Sequence, residues 1–258
     1  MKLHVLGGEG FVGSAFVRVA RNRGHVVGVI TRKNYSRFCG KPCDIVINAN
    51  GNSKKFLADR DPIREFEASV VSVQRSLLDF PCKRYVYLSS IDVYPHGDDP
   101  KLNHERSQIK PEQLSRYGLH KYLAERVVRH YAPRWLIVRL GGMVGEHLWK
   151  NSIYDILHGG VLRVHIDSEY QYLSTDDAAR IVLTLARKQP ANDIFNVCGD
   201  GCISLRGVTS LITGWQLRYA TNKPQKEHYE ISVTKLRSWM KVPLTRSTVR
   251  KFIRRQHL

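Results

Sequence analysis

Lys2-Leu3-His4-Val5-Leu6-Gly7-Gly8-Glu9-Gly10-Phe11-Val12-Gly13-Ser14-Ala15-Phe16-Val17 opens the chain and decides its fold. Lys2 to Leu6 is a short apolar run of strand character. Gly7, Gly10 and Gly13 follow at three-residue spacing, and from Ser14 to Asn22 the apolar residues Phe16, Val17, Val19 and Ala20 take helical spacing. The order is strand, glycine turn, helix. Glycines in such a turn let the backbone approach a pyrophosphate, and the free N–H groups of the following helix face the anion. Gly7, Gly10, Phe11, Val12 and Gly13 are therefore candidate cofactor-binding residues.

Outward from this unit, His25 to Ile30 reads as a second strand that ends at Thr31-Arg32-Lys33. An acidic residue there would grip a ribose 2′-hydroxyl, whereas two cations beside a small hydroxyl residue suit a 2′-phosphate. The expectation is NADP, with NAD possible, and Thr31, Arg32 and Lys33 join the cofactor set. Asp44 to Asn48 is a third strand only a dozen residues on, close to the minimum for a parallel crossover. Asn48-Ala49-Asn50 follows at its carboxyl end, the side on which open parallel sheets bind ligands, and these three residues complete the set. The expected fold class is α/β: a Rossmann-like doubly wound parallel sheet with a small C-terminal substrate-binding subdomain.

Asp61-Pro62 starts a helix that runs to about Leu78, and Tyr85 to Leu88 is a fourth strand that delivers Ser89-Ser90-Ile91-Asp92-Val93-Tyr94 to the same edge. After a polar loop comes Tyr117-Gly118-Leu119-His120-Lys121. One helical turn puts the phenol and the ammonium on one face. A nearby cation lowers a phenol from about 10 toward working pH, so Tyr117 can exchange the proton of an alcohol/ketone pair while Ser90 hydrogen-bonds the oxygen.

The glycine spacing, Leu88-Ser89-Ser90 leading to Val93-Tyr94, and Tyr117 with Lys121 followed by Ala124-Glu125 together resemble the extended short-chain dehydrogenase/reductases, and more narrowly the sugar-nucleotide epimerase/dehydratase family. Trp135 to Leu140, Ser174 to Ala179, Phe195-Asn196-Val197 and Val242-Pro243 carry the likeness through most of the chain. The resemblance implies Tyr117 as acid/base, Lys121 holding the nicotinamide ribose, Ser90 orienting the substrate oxygen, and a homodimer formed by the helices bearing Phe66 and Tyr117. Ser69 stands where the family usually has asparagine, and Ile91-Asp92 where its dehydratases carry an Asp-Glu pair, which argues against dehydration. Residues 1–140 are expected to form the dinucleotide-binding core. Residues 141–258 would complete it and supply a small cap, with Met143, His147, Trp149, Lys150 and Tyr154 suited to a base and a diphosphate, and Arg163 reaching the anion from a strand.

The formal net charge is +18, with 41 Lys and Arg against 23 Asp and Glu. It favours anionic partners. The basic run from Lys235 to Arg255 reads as a solvated helix face, and it also sustains an alternative, an RNA-binding protein of the same fold. The leading reading remains an NAD(P)-dependent reductase or epimerase acting on a nucleotide-sugar substrate, keto-sugar reduction preferred. Nucleic acid and membrane are not the expected partners. No apolar stretch reaches the roughly 18 residues of a membrane helix, and the glycine turn leaves no room for a leader, so the expectation is a soluble cytoplasmic protein. Cys39 with Cys43 and Cys198 with Cys202 have the spacing for a four-thiolate zinc site, but reduced thiols fit that compartment, and no metal is expected.

Overall fold

The computed structural model describes residues 1–52, 55–189, 192–212, 218–220 and 224–256. Strands β1 (Lys2–Leu6), β2 (Val26–Ile30), β3 (Cys43–Asn48), β4 (Cys82–Ser90) and β5 (Trp135–Leu140), with a sixth at Asp193–Val197, form one parallel sheet. Its order is β2-β1-β3-β4-β5 and then Asp193–Val197. A parallel sheet is covered on both faces, which is why β3 to β5 read as nearly unbroken apolar runs. Leu3, Val5, Val86, Leu88 and Val138 face the Phe11–Asn22 and Thr175–Lys188 helices. Leu6, Val46, Tyr87 and Ile137 face Val73 of the Ser72–Asp79 helix and Ala124 and Val128 of the Arg116–Tyr131 helix.

β1 pairs with β2 on one side and β3 on the other, Leu6 lying opposite both Ile30 and Asn48. Sheet growth therefore reverses between β2 and β3, and a crevice opens beyond the carboxyl ends of β1 and β3, where ligands bind in this architecture. The short crossover holds one turn of helix, Tyr35–Phe38, secured by Asn34, whose Oδ1 accepts from Thr31 N–H (2.7 Å) and whose Nδ2 donates to the Val29 carbonyl (3.0 Å). β2 is left as the sheet edge, with Val26 69% exposed.

Two elements depart from the sequence reading. The single helix expected from Pro62 to Leu78 is an α-helix at Pro62–Phe66, a π turn at Glu67–Val71 and a second α-helix at Ser72–Asp79. Such a wide turn inserts a residue and re-aims its neighbours, and it carries the buried Ser69. Arg163 is on no strand: the segment from Arg163 to Ile166 is irregular, although Ile166 is buried.

After β5 the chain forms a parallel pair, Gly142–Val144 with Tyr172–Ser174, and a three-stranded sheet in which Glu169–Tyr170 lies between Ile203–Ser204 and His228–Tyr229. Val144, Ile153, Leu205, Val249 and Phe252 make a separate core beneath them. The basic C-terminal run includes the Thr245–Arg254 helix, which buries Thr248, Val249, Phe252 and Ile253 and exposes Arg246, Arg250, Lys251 and Arg254. Among the described residues no helix is long and apolar enough to cross a membrane. All five cysteines are free thiols, and no four-thiolate group forms among the described residues: Cys39 is exposed while Cys43 and Cys198 are buried.

Candidate active site

Steric demand explains the glycines. Gly7 has φ +71°, and its N–H donates to the Ile30 carbonyl at 2.9 Å, closing the turn under the crevice. A Cβ on Gly13 would stand 2.1 Å from the Gly7 carbonyl oxygen, so only glycine lets the Phe11–Asn22 helix start there. Gly10 at the N-cap supplies no side-chain cap, and the first turn has no acid. The opening N–H groups thus meet the crevice uncompensated, the arrangement that receives a phosphate. These residues fit a dinucleotide pyrophosphate.

The crevice continues into a cleft of about 620 Å³. Its floor carries Gly10 to Gly13, Ala49 and Asn50; Ser90, Asp92, Tyr117 and Lys121 form one wall; and Met143, Trp149, Lys150, Tyr170, Glu227 and Tyr229 come from the C-terminal segment. Alternation along β4 sorts its two terminal serines. Ser89 turns inward and donates to Glu125 Oε1 at 2.6 Å, while Ser90 turns to the cleft and donates to Asp92 Oδ2 at 2.7 Å. Asp92 also pairs with Lys55 Nζ at 2.5 Å.

Tyr117 sits on the first turn of the Arg116–Tyr131 helix, whose N-cap Ser115 accepts from Gly118 N–H at 3.1 Å. Burial pushes its phenol above the ordinary tyrosine value; Asp92 and Glu65 add to the shift, and a hydrogen bond with Ser90 offsets part of it. The sequence reading had Lys121 pulling this phenol down. In the structure burial, joined by Asp92 and Glu65, sets the direction instead. The Lys121 ammonium lies 5.7 Å from the centre of the Tyr117 ring and 5.6 Å from that of Tyr87, against the aromatic faces. Burial lowers Lys121 itself to about 8 despite the raising effect of Glu65, Asp92 and Glu125.

Two buried polar networks support these groups. Glu65, with a wholly buried side chain, accepts from Ser69 Oγ and pairs with His120 Nδ1 behind Lys121. Farther in, Glu125 receives Arg139 through Nε at 3.0 Å and Nη2 at 2.8 Å, Arg139 Nη1 donates to Tyr94 OH at 2.9 Å, and Tyr94 donates to Asn196 Oδ1 at 2.8 Å. A buried ion pair survives only when its remaining donors and acceptors are filled in this way. Glu125, Arg139, Tyr94 and Asn196, all within the family-like motifs, thus hold the wall from behind, and none of the four lines the cleft.

Of the sequence candidates, Gly10, Phe11, Val12, Gly13, Ala49, Asn50, Ser90, Tyr117 and Lys121 come together along the cleft. Gly7 lies in the turn beneath. Asn48 is fully buried, donating to Tyr85 OH (2.6 Å) and Ser76 Oγ (3.2 Å), and reaches the site only by accepting from Asn50 N–H at 2.9 Å. Arg32 and Lys33 are exposed beside Thr31, past the end of β2. Met143, Trp149 and Lys150 face the cleft, whereas His147 and Tyr154 border a separate hollow with Phe252. Lys55, Glu65, His120, Tyr170 and Tyr229 escaped the sequence reading. The spacing of Glu65, four residues before Ser69, is a local signal that could have found it.

This architecture and site define a dinucleotide-binding protein with a tyrosine and a lysine on one wall of its cleft. The sequence profile of the NAD dependent epimerase/dehydratase family matches residues 3–198, and the chain belongs to that family. No curated protein sequence matches it. Among solved structures it is similar to a UDP-galactose 4-epimerase, at 24% identity and TM-score 0.79 over 98% of this chain and 97% of the other. It is also similar to MoeE5 in complex with UDP-glucose and NAD, at 18% identity and TM-score 0.81 over the whole of both chains. A dTDP-4-dehydrorhamnose reductase from Clostridium acetobutylicum matches at 16% identity and TM-score 0.80, again over both whole chains. The cofactor of the family is a nicotinamide dinucleotide.

Proposed function

We propose that the chain is an NADP-dependent oxidoreductase that reduces a keto group of a nucleotide-activated sugar, with epimerisation of such a sugar as the second activity open to the same site. The observation that carries the reading is geometric: Ser90, Tyr117 and Lys121 line one side of a cleft whose floor is the glycine turn, and burial keeps the phenol protonated there. A protonated phenol is a donor to the oxygen of a carbonyl under reduction. Bound nicotinamide supplies the hydride for that step. Ser90 Oγ orients the substrate oxygen, Tyr117 OH gives it the proton, and the Lys121 ammonium behind the ring stabilises the phenolate that remains. The same ammonium would hold the ribose hydroxyls of the cofactor.

Asp92 and Lys55 neutralise one another beside Ser90, so neither presents a net charge to the sugar. Trp149 and Lys150, at the far side of the cleft, suit a base and a diphosphate. Arg32 and Lys33 favour NADP. That reductases and epimerases of nucleotide sugars share this fold supports the substrate class. The partner in solution is a second copy of the chain, through the Pro62–Asp79 and Arg116–Tyr131 helices.

The test is a stoichiometric one. With a 4-keto sugar nucleotide, each turnover should oxidise one NADPH, and Tyr117→Phe should abolish it while cofactor still binds. Interconversion of two sugar nucleotides with cofactor unchanged at the end would replace reduction by epimerisation. Turnover retained in Tyr117→Phe would remove the mechanism.

A further inference from the structure

The three-stranded sheet of the C-terminal segment has two chemically different faces. Successive residues of a strand point to opposite sides. Tyr170, Glu227 and Tyr229 line the cleft, with the rings of Tyr170 and Tyr229 stacked 5.9 Å apart. Glu169, His228 and Glu230 therefore share the reverse face, and Cys202, just before the Ile203–Ser204 strand, joins them.

On that face the ligand atoms of Cys202, His228 and Glu230 all lie within 4.8 Å of one another. Among the described residues it is the only trio or larger group of histidine, cysteine and acidic side chains so close together. His228 Nε2 is 3.4 Å from Glu230 Oε2, while its other nitrogen, Nδ1, is 2.9 Å from Glu169 Oε2. A carboxylate on the far nitrogen of an imidazole fixes the tautomer and turns the near nitrogen toward a metal. In a chain of net charge +18, neither Glu169 nor Glu230 has a lysine or arginine at ion-pair distance among the described residues; both turn to His228.

We propose that Cys202, His228 and Glu230 bind a zinc ion, with Glu169 as the outer carboxylate that orients His228. One thiolate, one imidazole and one carboxylate form a mixed sulfur, nitrogen and oxygen set that suits zinc better than magnesium or calcium, which take oxygen ligands. Water completes the tetrahedron. On binding, the Cys202 thiol gives its proton to solvent and exchanges its 3.4 Å contact with the Tyr229 carbonyl for the metal. The ion staples the Cys202 turn to the His228–Tyr229 strand and so stiffens the surface that presents Tyr170, Glu227 and Tyr229 to the cleft. This role is independent of which sugar is turned over.

The full chain, stripped with a chelator, is titrated with cobalt(II). One equivalent should produce a thiolate-to-cobalt charge-transfer band that zinc abolishes. Cys202→Ser should lose the band, and Glu169→Gln should keep it with affinity reduced about 10- to 100-fold. A measurement on the unmutated chain guards against misfolding of the variants: zinc should slow alkylation of Cys202, read by peptide mapping. The absence of a thiolate band, its persistence in Cys202→Ser, or equal alkylation of Cys202 with and without zinc would each overturn the site.

Discussion

Gly118 presses against the backbone of Asp92: a Cβ on Gly118 would stand 2.2 Å from the Asp92 carbonyl oxygen. This contact brings the Arg116–Tyr131 helix down onto the turn that follows β4 and sets Tyr117 beside Ser90. Gly118→Ala must push the two apart. We expect a stability loss of about 1–3 kcal/mol in a denaturant series, and a fall in kcat of roughly 100-fold because reacting groups separate by an ångström or less. Cofactor affinity, read by fluorescence titration, should change little, since the glycine turn is untouched.

Lys121 places function and stability in opposition. Burial holds its folded value at about 8, against 10.5 for an ordinary lysine. Below about pH 8 the ammonium is charged in both the folded and unfolded chain. Between about 8 and 10.5 the unfolded chain binds the extra proton, so stability rises with pH. Lys121→Met removes this dependence. The variant should be more stable than the parent at neutral pH and inactive, and thermal melts should show its advantage shrinking as pH rises through that window.

His4 is an inner strand residue whose two ring nitrogens are buried without partners, set edge-on against Phe38 at 5.3 Å and Phe80 at 6.3 Å. Burial, then Lys2 and Lys41, lowers its pKa from 6.5. The folded imidazole therefore stays neutral as pH falls through 6.5 while the unfolded one takes a proton, and stability is lost in that direction. His4→Leu should raise the unfolding free energy by about 1–3 kcal/mol and flatten the decline in Tm below pH 6.5.

Cofactor choice should rest on Arg32 and Lys33. Replacing both by alanine should weaken NADPH binding roughly 10- to 100-fold, the worth of a charge-assisted contact to phosphate, and leave NADH binding unchanged. Equal losses for both cofactors would show that these cations only tune the overall field.

Self-association should depend on Ile63 and Leu78, 75% and 66% exposed on the helical run beside the Tyr117 helix. Ile63→Asp with Leu78→Asp should convert a dimer to a monomer in sedimentation velocity. A parent chain that is already monomeric would dispose of the interface.

Local signals made the candidate wall and the glycine turn legible in the sequence. Gly7, Gly10 and Gly13 record steric limits within a few residues, and Tyr117 and Lys121 are one helical turn apart, so spacing alone groups them. Side chains that meet through the fold left no such record. Lys55 reaches Asp92 across 37 positions, and Tyr170 meets Tyr229 only because two strands far apart in the chain pair in parallel. The sign of the Tyr117 shift was misread for the same reason: spacing reveals the neighbouring cation, whereas burial depends on everything packed around the ring. Arg163 was placed on a strand by an alternating pattern that irregular backbone shares.

The chain of contacts from Glu125 through Arg139 and Tyr94 ends at Asn196, whose side-chain amide also holds the Ser232 carbonyl at 3.1 Å and the Asn103 carbonyl at 3.4 Å. Wall, sheet and outer loops are thereby bolted to a single internal frame. Shifting the Arg116–Tyr131 helix against the sheet would tear the buried Glu125 and Arg139 charges from one another, so the wall that carries Ser90 and Tyr117 is preset. The geometry of this wall should accordingly be set before any ligand arrives.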